Sequence, residues 1–486
     1  MGGVLIATLG GFIGSVGDPD FWWHVRTGRW MVEHGRLPTH DLFTYTAATH
    51  VWTDHEYLTE ILMWLGFRNF GFLGISIGFG LITWSGFWLI FRTSYSAPRR
   101  QPFVIAGLAL VLAAVAGAPL WSPRAQMITF TLSCLELLWI AAYLSGRSRM
   151  ITWFPLVLAL WANLHAGWVI GLGFLGLAFG SELLRWGLGG RSAAAAAHSR
   201  RLGALLLLSV LAVMATPHGL SIYLYPFQTQ GSTAQQKLIV EWFSPDFHNP
   251  QLRAYEAMVL LLMVGMIARR PSLYQVLLSL SVLVLSLQSV RHIALFIAAT
   301  TPILVDLYSG IWRQLVASRP RLAARLQGFT STPSRPLAAI TVAALLVIAG
   351  ATALRIGSDL GRQDRLNAES YPLAASDWLA AHPEVGTRMY NQYGWGGYLL
   401  YRFYPDRNRR VFIFGEAALM GDDLLRQYQE VQTLRPDWQR VLDSNRIDYV
   451  VYNRGEALSN VLETEPGWQV AYQDRVAVVF VRQPSR

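Results

Sequence analysis

Residues 70–100 read FGFLGISIGFGLITWSGFWLIFRTSYSAPRR. The first twenty-two carry no charge, and the nine that follow hold Arg92, Arg99 and Arg100. About 20 apolar residues at 1.5 Å each span the hydrocarbon core of a bilayer. Arginines directly after such a run mark a cytoplasmic loop. This stretch therefore reads as a membrane span leaving the bilayer on the inner side.

The pattern repeats along the chain. Candidate spans lie at 2–17, 70–91, 102–119, 126–145, 150–164, 167–185, 202–217, 254–268, 272–288, 292–308 and 337–355. Composition agrees: the 486 residues are 53% hydrophobic and only 14% charged, against about 25% in soluble domains. Mean hydropathy is +0.31 although the last quarter of the chain is polar. The 19 tryptophans suit a protein with two membrane interfaces.

Loop charge assigns the sides. Five alternate loops collect sixteen arginines. They are Arg92, Arg99 and Arg100; Arg147 and Arg149; Arg185, Arg191, Arg200 and Arg201; Arg269 and Arg270; and Arg313, Arg319, Arg321, Arg325 and Arg335. The connections between them hold only Arg124, Lys237, Arg253 and Arg291. The positive-inside rule then puts the N-terminus in the cytoplasm and residues 356–486 outside. The net charge of +10 belongs to this topology, and nucleic acid is not the expected partner. The fold class is thus an α-helical polytopic membrane protein of about eleven transmembrane helices. A small C-terminal α/β extracytoplasmic domain follows.

Two outer segments are long, 18–69 and 218–253. The first holds FWWHVRTGRWMVEHG (21–35), which reads as a helix lying flat in the interface; a second amphipathic stretch, 54–68, leads into the next span. Residues 1–355 are expected to form the membrane domain and 356–486 the outer domain. In the latter, strands are predicted at 387–391, 410–414, 447–452, 468–472 and 476–481, with helices at 422–432 and 436–444. The run Ala193–Ala197 reads as low complexity in a cytoplasmic loop. Cys134 is the single cysteine, so no disulfide or cysteine metal site forms within one chain.

Polar residues gather at the outer boundary. Asp18 and Asp20 flank Pro19 where the first span ends, with His24 one turn on; Asp20 serves equally well as a plain helix N-cap. Asp54, His55, Glu56 and Glu60 have a spacing that suits a metal or acid–base work, or merely a helix start rich in acids. Arg124, in an outer turn, suits a phosphate, or snorkels to the interface. Asn163 and His165 stand where two apolar runs meet, as a site or as a packing hydrogen bond. Glu241 lies in the second long loop, and Arg291 and His292 at the outer end of a span. Nine of these residues map to one face: Asp18, Asp20, His24, Glu56, Arg124, His165, Glu241, Arg291 and His292. Carboxylates mixed with Arg and His suit transfer from a lipid phosphate: an acid takes a proton, and the cations stabilise the leaving group.

The chain resembles the GT-C superfamily of membrane glycosyltransferases, which use polyprenyl-phosphate or polyprenyl-diphosphate sugars. The resemblance is carried by DPDFWWHVRTGRWMVEHGRLPTHDLFTYT (18–46), WTDHEYLTE (52–60), SPRAQMITFTL (122–132) and LWANLHAGWVIGL (160–172). TPHGLSIYLYP (216–226), SVRHIALFIAATTP (289–302), NQYGWGGYLLYRFYP (391–405) and DYVVYNR (448–454) add to it, so it covers most of the chain. It implies a catalytic base or metal ligand among the acids of the first outer loop, a role that falls on Asp18 or Asp20. In the site read here, His24 or Glu56 would orient the acceptor, and Arg124, His165, Glu241, Arg291 and His292 would bind substrate. Metal use varies in the superfamily; a divalent cation, Mg or Mn, would sit on Asp18, Asp20 and Glu56. The expected donor is a polyprenyl-phosphate sugar and the acceptor a protein or glycan, with inversion at the sugar. The WWDYG-type motif of oligosaccharyltransferases is absent, and YGWGGY (393–398) matches it only loosely, which argues against protein N-glycosylation.

Two other readings remain. A transporter or flippase expects charges deep within several spans, and Glu136 and Asp306 are the main ones. A non-catalytic scaffold expects no effect of changing Asp18 or Asp20.

Overall fold

A computed structural model of the chain describes residues 2–95, 103–188, 192–319 and 335–483. Arg99, Arg100, Arg191, Arg321 and Arg325, used above for sidedness, lie outside the described residues. The principal helices, in chain order, are α1 (Gly2–Phe12), α2 (Phe21–His34), α3 (Tyr57–Tyr95), α4 (Phe103–Ala116), α5 (Gln126–Leu144), α6 (Phe154–Ala162), α7 (Trp168–Leu188), α8 (Ala193–Val213), α9 (Arg253–Ala268), α10 (Leu273–Gln288), α11 (Ile293–Ala317), α12 (Arg335–Leu360), α13 (Gly396–Phe403) and α14 (Ala417–Gln432).

Among the described residues, seven helical segments are long and apolar enough to cross a bilayer: Tyr57–Tyr95, Gln126–Leu144, Trp168–Leu188, Ala193–Val213, Pro250–Ala268, Val290–Ala317 and Val342–Ser370. Phe103–Ala116, Met150–Ala162 and Leu273–Gln288 are apolar and shorter. The protein is a multi-pass membrane protein with a small sheet near its C-terminus. The expected first span, 2–17, is helical only over the eleven residues of α1, about 16 Å at 1.5 Å per residue. The helix stops early because the backbone of Val16 is claimed elsewhere: its N–H donates to Gln363 Oε1 (2.7 Å) and its carbonyl accepts from Gln363 Nε2 (2.9 Å). The alanine run 193–197, expected in a loop, opens α8 instead, as the high helix propensity of alanine favours.

The chain forms two compact units. One comprises Met1–Gly14, Ser76–Gly219 and Glu241–Asp359; the other comprises Ser15–Ile75, Leu220–Val240 and Leu360–Arg486. This division differs from the boundary at 355/356 read from the sequence. The first outer loop and part of the second are built into the unit that carries the sheet.

In that unit the sheet has the order β1-β2-β4-β3, with β1 (Met389–Asn391), β2 (Tyr449–Asn453), β3 (Trp468–Gln473) and β4 (Ala477–Arg482). β1 and β2 run parallel and the other pairs antiparallel. Residues 410–414, predicted as a strand, are not one. Their backbone is satisfied by side chains: Asn391 Oδ1 accepts from Phe412 N–H (2.8 Å), Asn391 Nδ2 donates to the Ile413 carbonyl (2.9 Å), and Thr46 Oγ1 donates to the Phe412 carbonyl (2.5 Å).

Helix α2, expected to lie flat at an interface, is a core element. Ten of its fourteen residues are buried, and Trp22, Trp23 and Trp30 are at most 7% exposed. Trp22 packs against Tyr401 (4.9 Å between ring centroids), Tyr398 (5.5 Å) and Phe72 (5.7 Å). Gly28 lets α2 meet α3 closely: a β-carbon there would overlap the Glu60 carbonyl.

Candidate functional site

The nine residues read as one site fall into the two units, four in one and five in the other.

In the sheet-bearing unit, the turn Asp18-Pro19-Asp20 leads into α2. Proline disfavours helical geometry at Asp18, and Asp18 Oδ1 accepts the Asp20 N–H at 3.0 Å. Asp20 stands at the N-cap, yet its side chain makes no capping bond. Instead Asp20 Oδ1 accepts from the Trp23 indole at 3.0 Å. Gly415 presses against the same carboxylate, and a β-carbon there would collide with Asp20 Oδ1.

His24 faces the acids around the start of α3. Its Nδ1 lies 3.0 Å from Glu60 Oε1 and 3.9 Å from Glu56 Oε1. Glu56 lies between two imidazoles, with His55 Nε2 3.5 Å away, and His55 stacks on Tyr225 with centroids 3.9 Å apart. Asp54 lies beside Glu60. His24, Asp54, His55, Glu56 and Glu60 are all buried. Burial raises Asp54 to about 6 despite bonds from Glu60 and the Glu56 N–H. Glu416, next to Gly415, is raised to about 8, by burial first and then by the charges of Asp54 and Asp20. Glu416 is therefore a neutral acid at pH 7 in the neighbourhood of Asp20. Nothing local in GEAALMGDD (415–423) signalled it; only the fold brings it to the first loop.

A metal does not fit the three expected ligands in this arrangement. Asp18 Oδ1 and Asp20 Oδ1 serve protein N–H donors, while Glu56 serves imidazoles. Among the described residues no group of three or more His, Cys, Asp or Glu has metal-holding geometry.

In the membrane unit, the first turns of α5 gather the remaining residues. Arg124 is ion-paired with Glu241, so its charge is partly answered within the protein. Gln126 Nε2 donates to the Arg291 carbonyl at 3.0 Å. The Arg291 guanidinium lies over the Trp242 ring, 4.6 Å from its centroid, and His292 meets the same ring edge-on at 6.0 Å. Ser289 Oγ donates to the Glu241 carbonyl at 2.8 Å, tying the second long loop to the head of α11. On α5, Thr129 Oγ1 accepts from the Trp161 indole (3.0 Å) and lies 2.8 Å from His165 Nδ1. His165 Nδ1 also accepts the Gly167 N–H at 3.0 Å. With Nδ1 accepting, the ring proton sits on Nε2, and His165 presents a donor in a fixed orientation. Asn163 does ordinary packing work, donating to the Ala159 and Ala215 carbonyls at 2.7 and 3.0 Å. Of the two charges weighed for a transporter, Glu136 is fully buried and Asp306 is exposed. One buried acid does not make a pathway.

No family model matches the sequence, and no curated protein matches it either. Solved structures do match. ArnT from Cupriavidus metallidurans in the apo state is 14% identical with a TM-score of 0.54, over 98% of this chain and 95% of that one. The same protein bound to undecaprenyl phosphate is 14% identical with a TM-score of 0.50, over 98% and 96%. The Archaeoglobus fulgidus oligosaccharyltransferase, tethered to an acceptor peptide containing the NVT sequon, is 12% identical with a TM-score of 0.55, over 99% and 74%. At such identities the likeness is one of fold, and against ArnT it runs nearly end to end. The chain has the fold of the GT-C glycosyltransferases.

Proposed function

We propose that the protein is a membrane glycosyltransferase that moves a sugar from a polyprenyl-phosphate-linked donor to an acceptor at the outer face of the cytoplasmic membrane. In this reading the chain crosses the bilayer eleven times, with the N-terminus inside and the sheet-bearing unit outside. The observation that carries the reading is Asp20, an N-cap carboxylate withheld from capping and gripped by Trp23 beside the neutral acid Glu416. The GT-C fold supports the class, and ArnT, which shares that fold, was solved with undecaprenyl phosphate bound.

The chemistry is a displacement at the anomeric carbon. The acceptor group loses its proton to Asp20 or Asp18 as its oxygen or nitrogen bonds to the sugar. The bond from sugar to phosphate oxygen breaks, its electron pair stays on the phosphate, and the sugar inverts. Arg291, Arg124 and the Nε2–H of His165 are the donors for the growing phosphate charge. Glu241 holds Arg124 until phosphate competes for it. His24 and Glu56 act one step back, through the buried acid–imidazole group. No step requires a metal.

Asp18→Asn and Asp20→Asn are to be purified separately and assayed for transfer from lipid-linked sugar. Loss of a positioned general base costs about 10²–10⁴-fold, so at least one variant is expected to fall that far with its unfolding temperature unchanged. Full activity in both would rule out the assigned base and favour a scaffold.

A further inference from the structure

The membrane unit carries a groove of about 310 Å³ that the transfer reaction does not use. It is walled by the C-terminal parts of α1 and α4, by Trp121 just beyond α4, and by Arg355 on α12. Its lining is mostly apolar, from small Gly11 and Ala114 to large Phe12 and Trp121, with Thr8 polar and Arg355 the single charged residue. Two adjacent glycines divide the labour. A β-carbon on Gly10 would meet Thr352 Cγ2 at 2.5 Å, so α1 and α12 touch there. Gly11 has nothing within 4 Å of its β-carbon position, so that face of the same turn looks into open groove.

We infer that this groove binds one anionic glycerophospholipid of the surrounding bilayer, with an acyl chain along Gly11, Val111 and Val115 and its phosphodiester at Arg355. Three observations point to that occupant. The groove lies beside α12, part of a segment long and apolar enough to cross a bilayer, so acyl chains reach it. Its volume reaches the lower end of small-molecule sites, about 300 Å³, enough for a chain segment and too small for a folded partner. Its one cation matches the single negative charge of a phosphodiester. The guanidinium is three-fifths exposed, and its Nε stands 3.6 Å from Asp359, a loose pair one turn away. Such an exposed pair is weak and yields to a phosphate that brings its own apolar anchor.

The test uses the full chain in nanodiscs of equal phosphatidylglycerol and phosphatidylcholine with matched acyl chains, followed by native mass spectrometry of the released protein. The wild type is expected to carry one phosphatidylglycerol in preference to phosphatidylcholine. Gly11→Phe, whose β-carbon has open space, projects its ring into the groove and should abolish that adduct. Arg355→Gln should reduce the preference about fivefold, equivalent to ~1 kcal/mol per basic residue at an anionic lipid surface. Equal retention of both lipids by the wild type, or an unchanged adduct in both variants, would overturn the proposal. So would displacement of the phosphatidylglycerol by an equimolar polyprenyl phosphate. Should Gly11→Phe unfold at a lower temperature, Arg355→Gln, a change on an exposed side chain, decides alone. The outcome is independent of transfer activity.

Discussion

Glu416 shows how burial turns an ordinary acid into a proton store. Its carboxyl is raised from 4.5 to about 8, chiefly by burial and then by Asp54 and Asp20. The sign of the stability effect follows. Below pH 4.5 both folded and unfolded chains keep the proton. Between 4.5 and about 8 the unfolded chain gives it up while the folded chain holds it, so stability falls as pH rises. Asp54, raised to about 6, adds to the fall at the acidic end of that window. Glu416→Gln is expected to flatten the decline between pH 5 and 8 in thermal unfolding curves; an unchanged slope would place the titration elsewhere. Arg124 makes the second prediction at this scale. Because it is held by Glu241, Arg124→Gln should raise KM for the lipid donor about tenfold, one charge-assisted contact's worth. Glu241→Gln, which frees the guanidinium, should leave KM the same or lower. A rise in KM with Glu241→Gln would mean that the acid itself contacts substrate.

At the scale of elements, the α2–α3 crossing depends on Gly28. Overpacking a tight contact costs about 1–3 kcal/mol, and here the obstacle is the Glu60 backbone carbonyl. Gly28→Ala should lower the unfolding free energy by at least ~2 kcal/mol and disturb the His24–Glu60 contact. Helix existence was legible from apolar runs: each of the expected spans after the first contains a described helix. Helix ends were not, because they depend on distant partners. The Gln363 amide that claims the Val16 backbone lies 347 residues away, and no local pattern announces it. The strand expected at 410–414 failed for a like reason: its apolar run is real and buried, but Asn391 and Thr46 side chains replace the ladder. The amphipathic pattern of α2 was read correctly as helical, but its tryptophans are covered by protein. Tryptophans among basic residues look the same in sequence whether they face a membrane or a wall of tyrosines.

At the scale of the molecule, loops and tail fold together. Ser15–Ile75 and Leu220–Val240 join Leu360–Arg486 in one compact unit, which a reading by hydropathy divides at the last span. Residues 360–486 expressed alone should therefore lack a cooperative unfolding transition in calorimetry, since α2 and its aromatic cluster are missing. A sharp transition would show that the sheet is self-sufficient. The candidate site was legible as a list: its acids and cations stood out against an uncharged background. Their partners were less so. Trp23 on Asp20, Glu416 near it, Thr129 on His165 and Trp242 under Arg291 are ordinary residues until the chain is folded. The proposed transferase activity rests on the fold shared with ArnT and on the held Asp20. The most direct measurement of it is release of polyprenyl phosphate by the full chain in proteoliposomes supplied with a panel of radiolabelled polyprenyl-phosphate sugars and an envelope extract as acceptor. Release from at least one donor, reduced about 100-fold or more by Asn at Asp20 or Asp18, is the expected result. No release from any donor, or release unaffected by both substitutions, would contradict it.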